Sequence, residues 1–170
     1  MRKIIKLLFL SLVFLSCESD ADKNLDKQAD WENRKSDIIN FIGYIHGKTY
    51  LPVYSHIYHI HEHKTFDLTI TISIRNVSMT DSVHILKADY YNTVGMNVRR
   101  YLKDPIFLKP LETLEIVIED RDMEGGSGAN FIFDWAMEND KNPPLFEAIM
   151  ISPYEQQGLA FSTRGVRIFE

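Results

Sequence analysis

The sequence predicts a mainly β chain, an antiparallel sandwich of about eight strands. Three observations carry that reading. Apolar and polar residues alternate without a break from Phe66 to Arg75, short β-rich stretches recur between clusters of turn formers, and no segment sustains a helical period.

The chain opens on an export pattern. Arg2, Lys3 and Lys6 form a basic head, and Leu7 to Leu15 is apolar except for Ser11. Such a run rises only about 15 Å as a helix, half of the hydrocarbon core, so it reads as a cleaved signal and not as a span. The end of the run, Phe14-Leu15-Ser16-Cys17, resembles a lipobox, with Phe14 standing where Leu is usual. Cys17 is the sole cysteine and has no internal disulfide partner. A covalent lipid on Cys17 is the expected anchor, and each buried methylene of it contributes about 0.8 kcal/mol of membrane affinity. The expected organisation is a lipoprotein signal peptide over 1–16, a lipidated cysteine and polar tether over 17–43, and the sandwich over 44–170.

Cleavage before Cys17 removes three positive charges, so the net charge of -5 becomes -5 - 3 = -8 over 170 - 16 = 154 residues. An acidic chain repels polyanions, so nucleic acid is not an expected partner. Glu18, Asp20, Asp22, Asp26 and Asp30 make the following stretch a solvated tether. Acidic residues directly after the cysteine resemble a surface-export signal of bacterial lipoproteins, and ordinary linker solubility explains them equally. The expected location is the bacterial envelope, at the outer membrane, on its periplasmic or exposed side. Trp31, Lys35, Ile38 and Ile39 fall near one face of a short helix.

Beyond Tyr44 the period is two. Phe66–Arg75 reads as a half-buried strand, Asn76–Ser82 as a turn, Val83–Tyr91 as a second strand, and Asn92–Gly95 as a break. Val98–Leu102 is a short strand, while Pro105 and Pro110 bracket an irregular edge segment because proline cannot donate to a ladder. Thr113–Glu119 alternates again, and Asn130–Trp135 places Phe131, Phe133 and Trp135 on one face. Leu145–Ile151, Leu159–Thr163 and Val166–Phe169 complete eight or nine strands around a single core, with no second domain and no internal repeat.

Two phrases, Arg75-Asn76-Val77-Ser78 at a strand end and Leu108-Lys109-Pro110-Leu111-Glu112-Thr113 before the next, resemble immunoglobulin-like envelope modules. Three more occur in one order: Tyr50-Leu51-Pro52-Val53-Tyr54-Ser55, Ser73-Ile74-Arg75-Asn76, and Gly125-Gly126-Ser127-Gly128-Ala129-Asn130-Phe131. Together these three resemble the bacterial domain of unknown function family 3124, from about Gly47 to Ile168. The resemblance implies an envelope-associated domain without an assigned activity and supplies no catalytic residues.

Two features invite chemistry. Gly125, Gly126 and Gly128 can adopt positive φ and aim backbone N–H groups into an anion-holding nest, with Ser127 and Asn130 beside them. A phosphate loop would run into Lys-Ser or Lys-Thr and a helix, whereas Ala129-Asn130-Phe131 opens a strand, so a tight structural loop tied down by Asn130 is the favoured reading. His59, His61 and His63 alternate. On one strand they would lie about 6.6 to 6.8 Å apart, close enough for two to reach a zinc or copper ion. Solvated imidazoles in a polar turn are favoured over that site, and no other cofactor is expected.

Asp120, Arg121, Asp122 and Glu124 lack the order of a calcium loop and read as solvated. No Ser or Asp stands in a nucleophile-elbow context. Tyr50, Tyr54, Tyr58, Tyr90, Tyr91 and Tyr101 are expected mostly in the core or on sheet faces, the exposed ones joining Trp135 as a platform for sugars or peptides. The sequence therefore favours a non-catalytic binding or assembly module, held at a membrane by lipid and meeting a protein, peptide or glycan. The alternative is a metal-dependent or glycine-loop enzyme acting on an envelope or extracellular substrate.

Overall fold

The alternation that begins at Phe66 does not build one strand. In the computed structural model, which describes residues 31–38, 40–152 and 158–169, it is divided at the buried Leu68, whose N–H donates to Ser55 O (2.9 Å). Cys17, the signal and the first part of the tether lie outside the described residues. The strands in chain order are β1 (Ile45–Val53), β2 (His56–His59), β3 (His61–Asp67), β4 (Thr69–Arg75), β5 (Val83–Tyr91) and β6 (Asn97–Arg100). They continue with β7 (Ile106–Leu108), β8 (Thr113–Ile118), β9 (Ala129–Met137), β10 (Leu145–Ser152), β11 (Leu159–Arg164) and β12 (Val166–Ile168).

All pairings are antiparallel. One sheet runs β12-β1-β9-β5-β6, with β7 also on β5, and the other runs β11-β10-β4-β8. The third is the two-stranded hairpin β2-β3. Twelve described strands exceed the expected eight or nine because several are short. β7 is the clearest case, lying between Pro105 and Pro110 where an irregular edge was expected.

One apolar core unites the two larger sheets. Leu51, Ile85, Tyr90, Phe131, Phe133 and Trp135 come from the first; Ile70, Ile72, Ile74, Ile116, Phe146 and Met150 come from the second. Phe133 stacks on Phe146 across the gap, centroids 4.6 Å apart. Each such fully buried side chain contributes about 1.5–3 kcal/mol. At β5 the alternation breaks between Ile85 and Lys87, where a bulge lets Val83 and Ile85, then Ala88 and Tyr90, all face inward.

The predicted helix at Trp31–Ile39 is instead a single 3-10 turn, Glu32–Arg34. Tertiary pairing overrides the weak local pattern: Lys35 bridges Ile106, Ser36 N donates to Pro105 O (2.9 Å), and Arg34 pairs with Glu112. The chain then crosses the outer face of the larger sheet as a strap, where Phe41 and Tyr44 pack on His84 (5.2 and 5.6 Å).

The two phrases flagged at a strand end and before Thr113 meet in space. The buried Asn76 amide donates to Asp81 O, Leu108 O and Lys109 O (2.8, 3.1 and 3.0 Å), and its Oδ1 accepts from Ser78 N (2.9 Å). Leaving such a group unpaired would cost about 1–3 kcal/mol, which explains why an amide and not an apolar side chain suits this position.

Candidate functional site

The glycine loop is built into the end of the sandwich. Gly126–Gly128 is a 3-10 turn containing Ser127, and Asn130 lies in β9, paired with Pro52 and Tyr91. Gly125 O accepts from Thr93 N (2.9 Å) and Thr93 Oγ1 (3.1 Å), Gly128 N donates to Thr93 Oγ1 (2.9 Å), and Gly126 O accepts from Ser55 N (3.0 Å). A Cβ on Gly125 would overlap the hydroxyl of Tyr90, which itself hydrogen-bonds Ser55 Oγ at 3.0 Å. Burial raises the Tyr90 pKa, and the Ser55 contact opposes that only in part. Chain reversal at Gly126 (φ 76) therefore serves a close approach to a buried tyrosine.

The three alternating histidines do not share a strand. Ile60 turns the chain between β2 and β3 with φ 67, so His59 stands opposite His61. His59 stacks on Phe66 at 4.1 Å, while the rings of His61 and His63 adjoin at 5.9 Å and His61 Nδ1 accepts from His63 N (3.2 Å). Among the described residues no three His, Cys, Asp or Glu side chains gather as a metal centre requires.

Of the carboxylates before the glycines, Asp122 and Glu124 both reach Arg99 (2.7 and 2.6 Å), which also donates to Tyr101 Oη (3.0 Å). Burial works against the charge of Arg99, but the hydrogen bonds it donates to Asp122, Tyr101 and Glu124 outweigh it and hold the group above the usual arginine pKa. Arg100 grips Asp89 through two bonds (2.8 and 3.2 Å). These charges are occupied with one another.

Trp135 is buried, not a surface platform, and its indole donates to Thr49 Oγ1 (3.0 Å). The aromatic surface lies beside it. Arg167 places its guanidinium over the Trp135 ring (4.9 Å) and the Phe169 ring (5.4 Å), and is held by both oxygens of Asp140 (2.9 and 3.0 Å). Phe169 is 83% exposed.

Between that ring and the outer face of the sheet is an open pocket of about 360 Å³, lined among others by His46, Lys48, Leu86, Asp134, Arg167 and Phe169. This lies at the low end of the roughly 300–1,000 Å³ range of small-molecule sites. Asp134 stands between two ammonium groups, Lys87 at 3.3 Å from Oδ2 and Lys48 at 4.0 Å from Oδ1. Oδ1 is buried and accepts no hydrogen bond among the described residues. None of these five residues (Lys48, Lys87, Asp134, Arg167 and Phe169) stands out in the sequence. Lys48 and Asp134 meet because they are register partners, and Lys87 joins them through the bulge in β5.

The family described as "Protein of unknown function (DUF3124)" matches residues 46–168, nearly the span from Gly47 to Ile168 over which the sequence resembles it. Among curated proteins none matches. Among solved structures, the crystal structure of Thermotoga maritima 1070 is similar over 71% of this chain and 92% of its own, at 9% identity and a TM-score of 0.44.

Proposed function

The chain belongs to the family described as Protein of unknown function (DUF3124), which assigns no activity, and from that premise we propose a lipid-anchored binding module of the bacterial envelope that performs no catalysis. The observation that carries the binding half is the pocket lined by Phe169, where an exposed ring, Lys48, Arg167 and the Asp134 carboxylate share one space. Conspicuous ionisable groups elsewhere are engaged internally, as in Arg99 with Asp122 and Glu124.

The anchoring half rests on the basic head, the apolar run and Ser16-Cys17. Fourteen residue steps separate Cys17 from Trp31, a reach of at most about 50 Å. Trp31 packs on the core, and Lys35 and Ser36 are stitched to the β7 side of the larger sheet. The pocket includes residues of β12, at the opposite edge of that sheet, so the tether's entry leaves it open.

The test of the anchor is metabolic labelling with an alkyne-bearing palmitate. Labelled wild-type chain in the membrane fraction and unlabelled Cys17→Ser chain are the expected results. Unlabelled wild-type chain overturns the anchor.

A further inference from the structure

We propose that the pocket under Phe169 is a carbohydrate site, taking neutral sugar rings of an envelope or extracellular glycan; this rests on the reading of the domain as a binding module.

The charge of the walls selects the ligand class. Two cations, Lys48 and Arg167, line the pocket beside Asp134, whose other ammonium partner is Lys87, and Asp140 offsets Arg167. A strongly anionic ligand would meet Asp134, and a strongly cationic one would meet Lys48 and Arg167. A ligand that is uncharged yet rich in both donors and acceptors meets neither penalty. Vicinal hydroxyls have that character: one donates to the Asp134 carboxylate, whose side chain is 21% exposed, while its neighbour accepts from Lys48.

The ring supplies the second half of the recognition. A pyranose presents a face of C–H groups, and a flat aromatic side chain covers that face at little conformational cost. Phe169 is 83% exposed, a costly position for an apolar ring in water, yet it is held from behind by Arg167, whose guanidinium is fixed by the fork of Asp140 and by His46 O (3.4 Å). An exposed aromatic ring that shares a pocket with Lys48, Asp134 and Arg167, in a volume fit for about one or two sugar rings, is a stacking platform with a polar wall.

The experiment is isothermal titration calorimetry of the lipidated full chain in nanodiscs with maltohexaose, cellohexaose and the hexamer of N-acetylglucosamine, each in turn, and with a pool of uncharged hexapeptides. At least one saccharide is expected to bind with a Kd of about 0.1–1 mM. Phe169→Ala and Asp134→Asn should each weaken it about tenfold or more, Phe169→Trp should preserve it, and the thermal midpoint should stay within about 2 °C in all three. Saccharide binding that ignores Phe169→Ala and Asp134→Asn overturns the site. Binding of the peptides alone, sensitive to the same variants, overturns the sugar and keeps the binding module. No heat from any probe overturns both.

Discussion

Among the described residues two that are not glycine hold left-handed backbone, Ile60 (φ 67) and Leu111 (φ 60). Leu111 follows Pro110 in a turn closed by Glu112 N donating to Lys109 O (3.1 Å), and Lys109 N donates to Glu112 Oε2 (2.8 Å). Proline at the second position and positive φ at the third define a turn that ordinarily takes glycine in the third place. Leu there pays about 1–2 kcal/mol of steric strain and, 65% exposed, recovers little of it by burial. Glycine would relieve the strain, retain the N–H that Leu111 donates to Ser78 O (3.1 Å), and lose part of the gain to its freer unfolded chain. Leu111→Gly is expected to raise unfolding free energy by about 0.5–1 kcal/mol in urea titrations with m unchanged. A lower midpoint would show that the Leu111 side chain is held by contacts worth more than its strain. Pro110 announced this turn in the sequence; the leucine where glycine is usual concealed its type. Ile60 is the sharper departure, a β-branched residue at the tip of the histidine hairpin, and alternation alone could not reveal that a turn separates His59 from His61.

At the scale of elements, legibility followed burial. Val83–Tyr91 was read to the residue, and Thr113–Glu119 and Leu145–Ile151 to within one, because one face of each strand packs on the core and writes a two-residue period into the sequence. Phe66–Arg75 was read as one strand because Leu68 keeps the phase while the chain passes from the hairpin into the sheet. The strap carries a brief helical pattern in sequence, yet its structure comes from β7 and His84, which lie far away in sequence. His84 makes the strap sensitive to acid. Burial lowers its pKa, Glu138 opposing in part, so the unfolded chain takes up a proton at higher pH than the folded one. Stability from this residue is therefore complete above the unfolded pKa of about 6.5 and declines as pH falls below that value toward the folded pKa. Glu112 has the same sign in a lower window. Burial raises its pKa, but Lys109 N–H and Arg34 outweigh that and lower it, so its contribution is complete above the unfolded pKa of about 4.5 and is lost as pH falls from there through the folded pKa. Between pH 7.5 and 5.5 the wild type should lose thermal stability, and strap amides should lose hydrogen-exchange protection before those of β9. Replacing the imidazole by an uncharged amide in His84→Gln should remove most of that slope. An equal slope in the variant would assign the acid sensitivity to other groups.

The whole molecule is closed by one residue. β11 ends in the smaller sheet at Arg164 and β12 begins in the larger at Val166, so Gly165 is the step between layers. Its N–H donates to Phe146 O (2.8 Å), and a Cβ there would lie 2.6 Å from Thr49 Cγ2 and 3.0 Å from Phe146 Cβ. The two neighbours belong to different layers: Phe146 of the smaller sheet stacks on Phe133 across the core, and Thr49 of the larger sheet holds Trp135 by a hydrogen bond. A methyl group at Gly165 therefore presses on both sheets together, and overpacking of this kind costs about 1–3 kcal/mol. Gly165→Ala should lower the thermal midpoint by about 3–10 °C, in one transition whose calorimetric and van't Hoff enthalpies agree, because a single core spans the layers. The strand it displaces carries Arg167 and leads into Phe169, so the same variant should also weaken any ligand of the pocket. A midpoint within about 1 °C of wild type would mean that β12 shifts freely past Thr49 and Phe146. In that event the aromatic wall of the pocket would not be rigidly placed by β12, and its preorganisation for a sugar face would have to come from the Arg167 contacts with Asp140 and His46 O.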